Sequence, residues 1–284
     1  GGKTEVFFGS KIPFVNLRMN YRNHRKIMVV DAKVAYLGGF NIGDEYLGKG
    51  ELGEWRDTHM KIEGNAVLTL QSRFFMDWNA VAKEKNRKDY AEAYFPIADK
   101  KGNTAMQIVT SGPDDEDQTI KMGFLKMISQ AKESIYIQTP YFIPDESLHE
   151  MLKIAVLSGV KVKIMIPSKP DHPFVYRATE YFAKDIVEYG AEVYMYQNGF
   201  LHSKVMVVDD EIVSVGTANM DVRSFKLNFE INAFIYDRDV AEELIANFDE
   251  DQKNCIRATH DYFAKQSKWR KFKQAFSRLL SPIL

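Results

Sequence analysis

Apolar and polar positions alternate with two different periods along the chain, and each period predicts its own kind of secondary structure. Near the start, apolar runs at 27–30 and 34–37 flank a polar turn at 31–33, a pattern typical of a β-hairpin. A further strand is predicted at 57–62, and the apolar spacing of 66–83 favours a helix. This part of the chain therefore combines a small sheet with one long helix.

The second part of the chain alternates between strands and helices. Asp145 is a candidate N-cap for one helix, and Gly159 is a candidate C-cap for the same helix. Strands that alternate with helices favour an α/β fold in which helices cover the sheet. The predicted strands are 105–109, 134–138, 160–166, 192–196 and 230–236, and the predicted helices are 118–130, 145–157, 179–189 and 240–257.

An internal repeat organises the chain. With an offset of 178 residues, one set of polar residues falls on an identical second set, and the apolar positions between them agree. Two copies of one element predict two pseudo-symmetric lobes, each a mixed β-sheet flanked by helices, over residues 1–98 and 99–284. The paired residues are His24 with His202, Lys26 with Lys204, Asp31 with Asp209, Gly38 with Gly216, and Asn41 with Asn219.

The two lobes are predicted to differ in completeness. Only 23 residues precede His24, whereas residues 99–201 precede His202 within the second lobe. We therefore expect that the first lobe is incomplete and that the chain is a truncated form of a longer protein.

The repeated residues suit chemistry on a phosphodiester. Side chains alternate across a strand, so His24 and Lys26 point the same way, and the hairpin returns Asn41 toward them. Lysines and amides can stabilise the negative charge that grows on phosphate oxygens. One histidine can attack phosphorus and form a phosphohistidine while the other serves as acid and base. No metal or other cofactor is expected, because the lysines neutralise the phosphate.

The repeated residues resemble the signature of the phospholipase D superfamily, His-x-Lys-x4-Asp, which occurs here at 24–31 and again at 202–209. Asparagine follows in Gly-Gly-Phe-Asn at 38–41 and in Gly-Thr-Ala-Asn at 216–219. Within the superfamily, the chain is most similar to the bacterial cardiolipin synthases. The segments that carry this similarity are 20–26, 40–46, 55–59, 139–145 and the ending 281–284.

The resemblance implies a reaction and a setting. Two phosphatidylglycerol molecules are joined into cardiolipin with release of glycerol, at the surface of the bacterial inner membrane. The partners are then an anionic phospholipid and the membrane surface, and no nucleic acid is expected. In the family the first histidine is usually the nucleophile, which maps to His24, and His202 is then the acid and base. Asn41 and Asn219 are implied to bind the substrate phosphate.

The resemblance also assigns roles to four carboxylates. Asp31 and Asp209 complete the two signatures and enter the candidate catalytic set with them, although an Asp in a hairpin turn is often a turn former with a structural role. Asp57 is expected to orient His24 by accepting a hydrogen bond from its ring. Glu230 is expected to orient His202 in the same way.

Composition adds a prediction about the end of the chain. The net charge is −1, yet six basic residues and no acidic residue follow Asp261. Apolar and basic positions of an amphipathic helix recur over 265–280, a pattern suited to anionic lipid or to docking on its own domain. The single cysteine excludes an intrachain disulfide, and no run of 18 apolar residues would span a bilayer.

Two other function classes remain open from the sequence. A hydrolytic phospholipase D, or a phosphodiesterase acting on nucleic acid, would use the same two motifs. The chain before the basic tail carries all 39 acidic residues, which argues weakly against a nucleic-acid substrate. A non-catalytic membrane-binding module is disfavoured because both polar sets are intact. The sequence predicts nothing about the oligomeric state.

Overall fold

A computed structural model describes residues 2–7, 20–97 and 99–281. The expected lobe boundary at 98 and the similar ending at 282–284 lie outside the described residues. The strands are β1 (Ile27–Val30), β2 (Val34–Gly38), β3 (Trp55–Arg56), β4 (His59–Glu63), β5 (Ala105–Ser111), β6 (Ser134–Gln138), β7 (Phe142–Ile143), β8 (Lys161–Pro167), β9 (Glu192–Tyr196), β10 (Phe200–Leu201), β11 (Val205–Val208), β12 (Ile212–Gly216), β13 (Met220–Asp221), β14 (Glu230–Tyr236) and β15 (Cys255–Arg257).

Eight α-helices occur among the described residues, and together with the strands they make the mixed α/β fold that the sequence predicts. The 3-10 helix Asp44–Leu47 follows the first hairpin. The α-helices are α1 (Ala66–Val81), α2 (Thr119–Gln130), α3 (Glu146–Leu157), α4 (Pro173–Glu188), α5 (Val222–Lys226), α6 (Arg238–Gln252), α7 (His260–Ala264) and α8 (Lys268–Leu279).

The strands of one main sheet come before the expected lobe boundary at 98, and the strands of the other come after it. The second lobe holds an eight-stranded sheet in the order β15-β9-β8-β6-β11-β12-β14-β5, and the first holds the antiparallel order β1-β2-β4. Strands β6, β8 and β9 run parallel because α3 and α4 cross over between them. Residues of both sheets share one buried apolar cluster, which includes Leu37 and Ile62 from the first lobe and Val207 and Ile231 from the second.

The repeated motif folds into two matching hairpins. β1 pairs with β2 and β11 pairs with β12, both antiparallel, and Ile27 lies opposite Leu37 as Val205 lies opposite Val215. Both turns hold two consecutive residues at positive φ, at 31–32 and at 209–210. Positive φ at both central residues is the geometry of a tight type I′ hairpin turn, so the internal symmetry extends to the backbone of the turns.

Several predicted elements have different bounds in the structure. The predicted helix 240–257 ends at Gln252, and Cys255–Arg257 forms β15 on the edge of the large sheet beside β9. α4 begins at Pro173, six residues before the prediction, because proline suits the first turn of a helix. The strand predicted at 57–62 begins at His59. No helix of the described ranges is both long and apolar enough to cross a membrane.

Candidate active site

Each candidate histidine lies on a segment that pairs with the other lobe. The backbone N–H of His24 donates to the carbonyl of Phe229, and the N–H of Phe229 donates to the carbonyl of Arg22, both at 2.9 Å. In the second copy, β10 pairs in parallel with β3, and the N–H of His202 donates to the carbonyl of Arg56. Each histidine segment is therefore joined by backbone hydrogen bonds to the other lobe.

The observed pairing of histidines with carboxylates is the reverse of the expected pairing. Nδ1 of His24 lies 2.9 Å from both carboxylate oxygens of Glu230. Nδ1 of His202 lies 2.7 Å from Oδ2 of Asp57. The assignment of Asp57 to His24 and of Glu230 to His202 is wrong, because the His24 segment pairs with the residue just before Glu230 and the His202 segment pairs with the residues just before Asp57. The two carboxylates themselves are the ones that the sequence predicts.

Glu230 is held ionised in a fully buried position. Besides the His24 ring, it accepts hydrogen bonds from Thr217 Oγ1 at 2.5 Å and from Asn228 Nδ2 at 3.0 Å. Burial acts to raise the pKa of Glu230, but His24 and Lys26 outweigh burial and hold the pKa below its ordinary value. A buried carboxylate with these donors fixes the His24 ring with its Nδ1–H pointing inward, so Nε2 keeps its lone pair.

Asp57 has a corresponding set of partners on the other side of the site. It accepts from the backbone N–H of Thr58 at 2.8 Å and from Tyr46 Oη at 2.9 Å, and Tyr46 Oη also lies 2.9 Å from Nδ1 of His202. Burial acts to raise the pKa of Asp57. Lys204 and His202 outweigh burial, hold the pKa below its ordinary value and keep the carboxyl ionised. Burial and the Asp57 charge raise the pKa of Tyr46, so its hydroxyl remains a donor.

The two histidines differ in their surroundings. The His24 side chain is 27% exposed and the His202 side chain is 7% exposed. Trp55 packs on the His202 ring, with 4.8 Å between ring centroids. Burial and the neighbouring Lys204 lower the pKa of His202 to about 3, against the opposing pull of Asp57. His202 is therefore neutral at neutral pH when no anion is bound.

The two lysines form a desolvated pair of cations. Lys26 Nζ donates to the carbonyl of His24 at 2.7 Å, and Lys204 Nζ donates to the carbonyl of His202 at 2.5 Å. Burial lowers the pKa of Lys26 to about 8 and that of Lys204 to about 7, and the charge of Lys26 lowers the pKa of Lys204 further. Two poorly solvated ammonium groups that repel each other favour an anion between them.

The two asparagines are placed differently. Asn219 is buried, its Nδ2 lies 3.4 Å from Oδ2 of Asp221, and its Oδ1 has no hydrogen-bond partner among residues 20–97 and 99–281. Burial raises the pKa of the neighbouring Asp221 carboxyl. Asn41 is exposed, just before the 3-10 helix Asp44–Leu47. The site is therefore less symmetric than the repeat.

Asp31 and Asp209 lie at the far end of their hairpins. This position shows that they were wrongly included among the candidate catalytic residues. Each lies seven positions along mostly extended chain from its histidine, a span of roughly 20 Å. The carboxylate of Asp209 accepts three backbone N–H groups at 2.7–2.9 Å, from residues 132–134. Asp31 is exposed. Asp209 therefore stabilises the segment before β6, and both carboxylates are out of reach of the histidines.

Some site residues were not predicted from the sequence. Tyr46 and Trp55 contact His202, while Thr217 and Asn228 hold Glu230. Tyr46 and Trp55 fall in two of the segments that carry the family resemblance, at 40–46 and 55–59. Membership in these segments was the only sequence signal that could have identified Tyr46 and Trp55. It does not show which side chains face the histidines.

Known proteins resemble this chain in sequence and in fold. A family model described as "Cardiolipin synthase, PLD-like domain" matches residues 124–252. Proteins named cardiolipin synthase from Listeria welshimeri and from Staphylococcus aureus strain Mu50 are 57% and 56% identical over the whole chain. The chain spans 59% and 58% of their lengths.

A solved structure shares the fold. The phosphatidylserine synthase of Haemophilus influenzae Rd KW20 superposes with a TM-score of 0.68, over 93% of this chain and 72% of that chain, at 19% identity. At this identity the likeness concerns the arrangement of the strands and helices.

Proposed function

The chain belongs to the cardiolipin synthase family of phospholipase-D-like proteins, and on that premise we propose that it carries the catalytic site of a phosphatidyltransferase that makes cardiolipin. The proposed reaction joins two phosphatidylglycerol molecules and releases glycerol. One observation carries the proposal: both histidine rings hold Nδ1 against a buried carboxylate, with the half-buried Lys26 and the buried Lys204 beside them.

In the first step, His24 is the nucleophile. Its Nε2 lone pair attacks the phosphorus of one phosphatidylglycerol, a P–N bond forms, and the bond from phosphorus to the glycerol oxygen breaks. The leaving oxygen takes a proton from Nε2 of His202, so glycerol departs as the neutral alcohol. The greater exposure of the His24 ring, which leaves it open to a substrate, supports this assignment.

In the second step, His202 is the base. Its Nε2 removes the proton from a glycerol hydroxyl of the second phosphatidylglycerol, and that oxygen attacks phosphorus while the P–N bond to His24 breaks. The depressed pKa of His202 favours the neutral form that this step needs. A bound phosphodiester brings negative charge to the site and raises the pKa of His202, which favours the protonated form needed in the first step.

The phosphate is held by Lys26 and Lys204, with Asn219 as a further ligand. If the Asn219 amide is turned over, its Nδ2 faces the site and donates to a phosphate oxygen, while its Oδ1 accepts from Asp221. Burial raises the pKa of Asp221, and its carboxyl donates to Oδ1 of Asn219 only in the protonated form. Asn41, whose backbone lies against the Tyr46 hydroxyl, is proposed as the matching ligand from the first copy.

Turnover of phosphatidylglycerol vesicles tests the proposal. The chain is assayed alone and joined to the preceding part of the Listeria welshimeri relative, without added metal, beside His24→Ala and His202→Ala. Cardiolipin and glycerol that disappear in both variants support the synthase. Phosphatidic acid as the main product assigns a hydrolytic phospholipase D, and cleavage of nucleic acid without lipid turnover overturns the lipid assignment.

A further inference from the structure

Helix α8 turns its apolar face outward. Four large apolar side chains, Trp269, Phe272, Phe276 and Leu279, lie along one stripe of the helix and are between 48% and 72% exposed. The rings of Trp269 and Phe272 stack with 5.4 Å between centroids. A surface helix normally buries its apolar stripe against the core, so this orientation is the reverse of the usual one.

The opposite, polar face of α8 fixes this orientation. Gln274 and Ser277 are buried, and α8 packs against α4. Glu180 of α4, which is itself buried, forms an ion pair with Arg270 and accepts from Gln274 Nε2 at 3.1 Å. Leaving the Glu180 charge buried without these partners would be costly, so α8 cannot easily roll over to hide its apolar stripe.

Basic residues border the apolar stripe on both sides. Lys268 and Lys273 flank it, and Lys273 Nζ lies 5.1 Å from the Trp269 ring centroid. No acidic residue follows Asp261 in the sequence. Lysines are depleted in the buried centre of protein–protein interfaces, whereas aromatic residues bordered by lysines are typical of helices that lie in the surface of an anionic bilayer.

We propose that the outward face of α8 is a docking surface for an anionic phospholipid bilayer. A groove of about 370 Å³ joins this surface to the neighbouring loop, with Trp269 and Pro170 among its lining residues. In that loop Asp171 accepts a hydrogen bond from Tyr141, which lies near the Tyr46 of the active site. A bilayer held by α8 therefore lies beside a loop that leads to the catalytic residues.

Binding of the 284-residue chain to vesicles tests the surface. Sedimentation is measured with vesicles of phosphatidylcholine alone and of phosphatidylcholine mixed with phosphatidylglycerol. The inference rests on the proposed function only for the choice of phosphatidylglycerol, and binding is measured with the inactive His24→Ala variant so that turnover plays no part. Preferential binding to the mixed vesicles is expected.

Matched variants locate the binding. Leu279→Ser is expected to weaken binding about tenfold, whereas Leu157→Ser, at an equally exposed leucine of α3, leaves it unchanged (72% and 70% exposed). Lys268→Gln with Lys273→Gln is expected to weaken binding to the mixed vesicles about 25-fold, at about fivefold for each basic residue. The control for charge is Lys100→Gln with Lys101→Gln.

Three results would overturn the inference. These are equal binding to both kinds of vesicle, equal losses in the α8 variants and their controls, and self-association that Leu279→Ser abolishes in a chain that binds no vesicles. The last result would make the stripe an interface between copies of the chain. If the chain binds vesicles but the unsubstituted protein does not turn over phosphatidylglycerol, the proposed activity is refuted and the docking surface still stands.

Discussion

The substitution Asp57→Asn removes one negative charge from the site with almost no change in volume. Asp57 receives three donors: the Thr58 N–H on Oδ1, and Tyr46 Oη and the His202 ring near Oδ2. An asparagine can keep its oxygen toward Thr58 only by pointing its NH2 at His202. Nδ1 of His202 must then accept a hydrogen bond from this NH2 group, so the ring proton moves to Nε2. The second step needs a lone pair at Nε2, because Nε2 is the base.

The expected loss is large because the wrong tautomer is favoured. In the comparable aspartate-to-asparagine change of a Ser-His-Asp triad, which keeps the geometry and reverses the tautomer, kcat falls about 10⁴-fold. We expect a fall of about 10³ to 10⁴ in kcat here, or about 4 to 5.5 kcal/mol in the activation free energy. Tyr46→Phe removes one donor to Asp57 and leaves the His202 contact, so a fall of about tenfold is expected.

The assay compares cardiolipin formation from phosphatidylglycerol with the thermal unfolding of each variant. Asp209→Asn is the matched control, because it makes the same chemical change in a signature residue at the far end of the hairpin. It is expected to cost about 1–3 kcal/mol of stability through its three backbone donors and to leave kcat within a few-fold. Near-normal turnover by Asp57→Asn, or an equal loss in Asp209→Asn, would refute the reasoning.

Three further predictions concern backbone space, the pH dependence of turnover and the pH dependence of stability. Gly39→Ala should reduce turnover at least tenfold in a folded protein, because an added Cβ would stand 2.0 Å from Oδ1 of Asp57, whereas Gly50→Ala, with no atom closer than 3.5 Å, should be silent; equal activities of the two purified variants would contradict this. The value of kcat/KM should fall as pH rises through about 7 to 8, because Lys204 and Lys26 lose their charge there. Both pKa values lie below the ordinary 10.5, so the unfolded chain binds more protons between about pH 7 and 10.5, and these lysines make the free energy of unfolding rise with pH over that window. Urea unfolding at pH 7 and pH 9 checks the sign, and a Lys204→Met variant with an unchanged pH dependence would contradict it.

Local patterns predicted most of the elements because their causes are local. The two hairpins, the strands 134–138, 192–196 and 230–236, and the Asp145 N-cap occur as the sequence predicts. The segment Cys255–Arg257 was predicted as helix and is an edge strand. A short apolar run next to a helix fits either state, and only the free edge of β9 made the strand favourable.

The sequence by itself determined the chemistry of the site, because a repeat of identical polar residues at matched spacing is a property of the chain alone. The tertiary structure decided which groups meet. The exchange of segments between lobes sets Glu230 against His24 and Asp57 against His202. Burial, which depends on every element packed around a side chain, made His202 neutral and lowered the pKa of both lysines. The sequence shows which residues are available for these contacts. Which of them meet depends on how the two lobes pack, because the contacting segments are far apart in the chain.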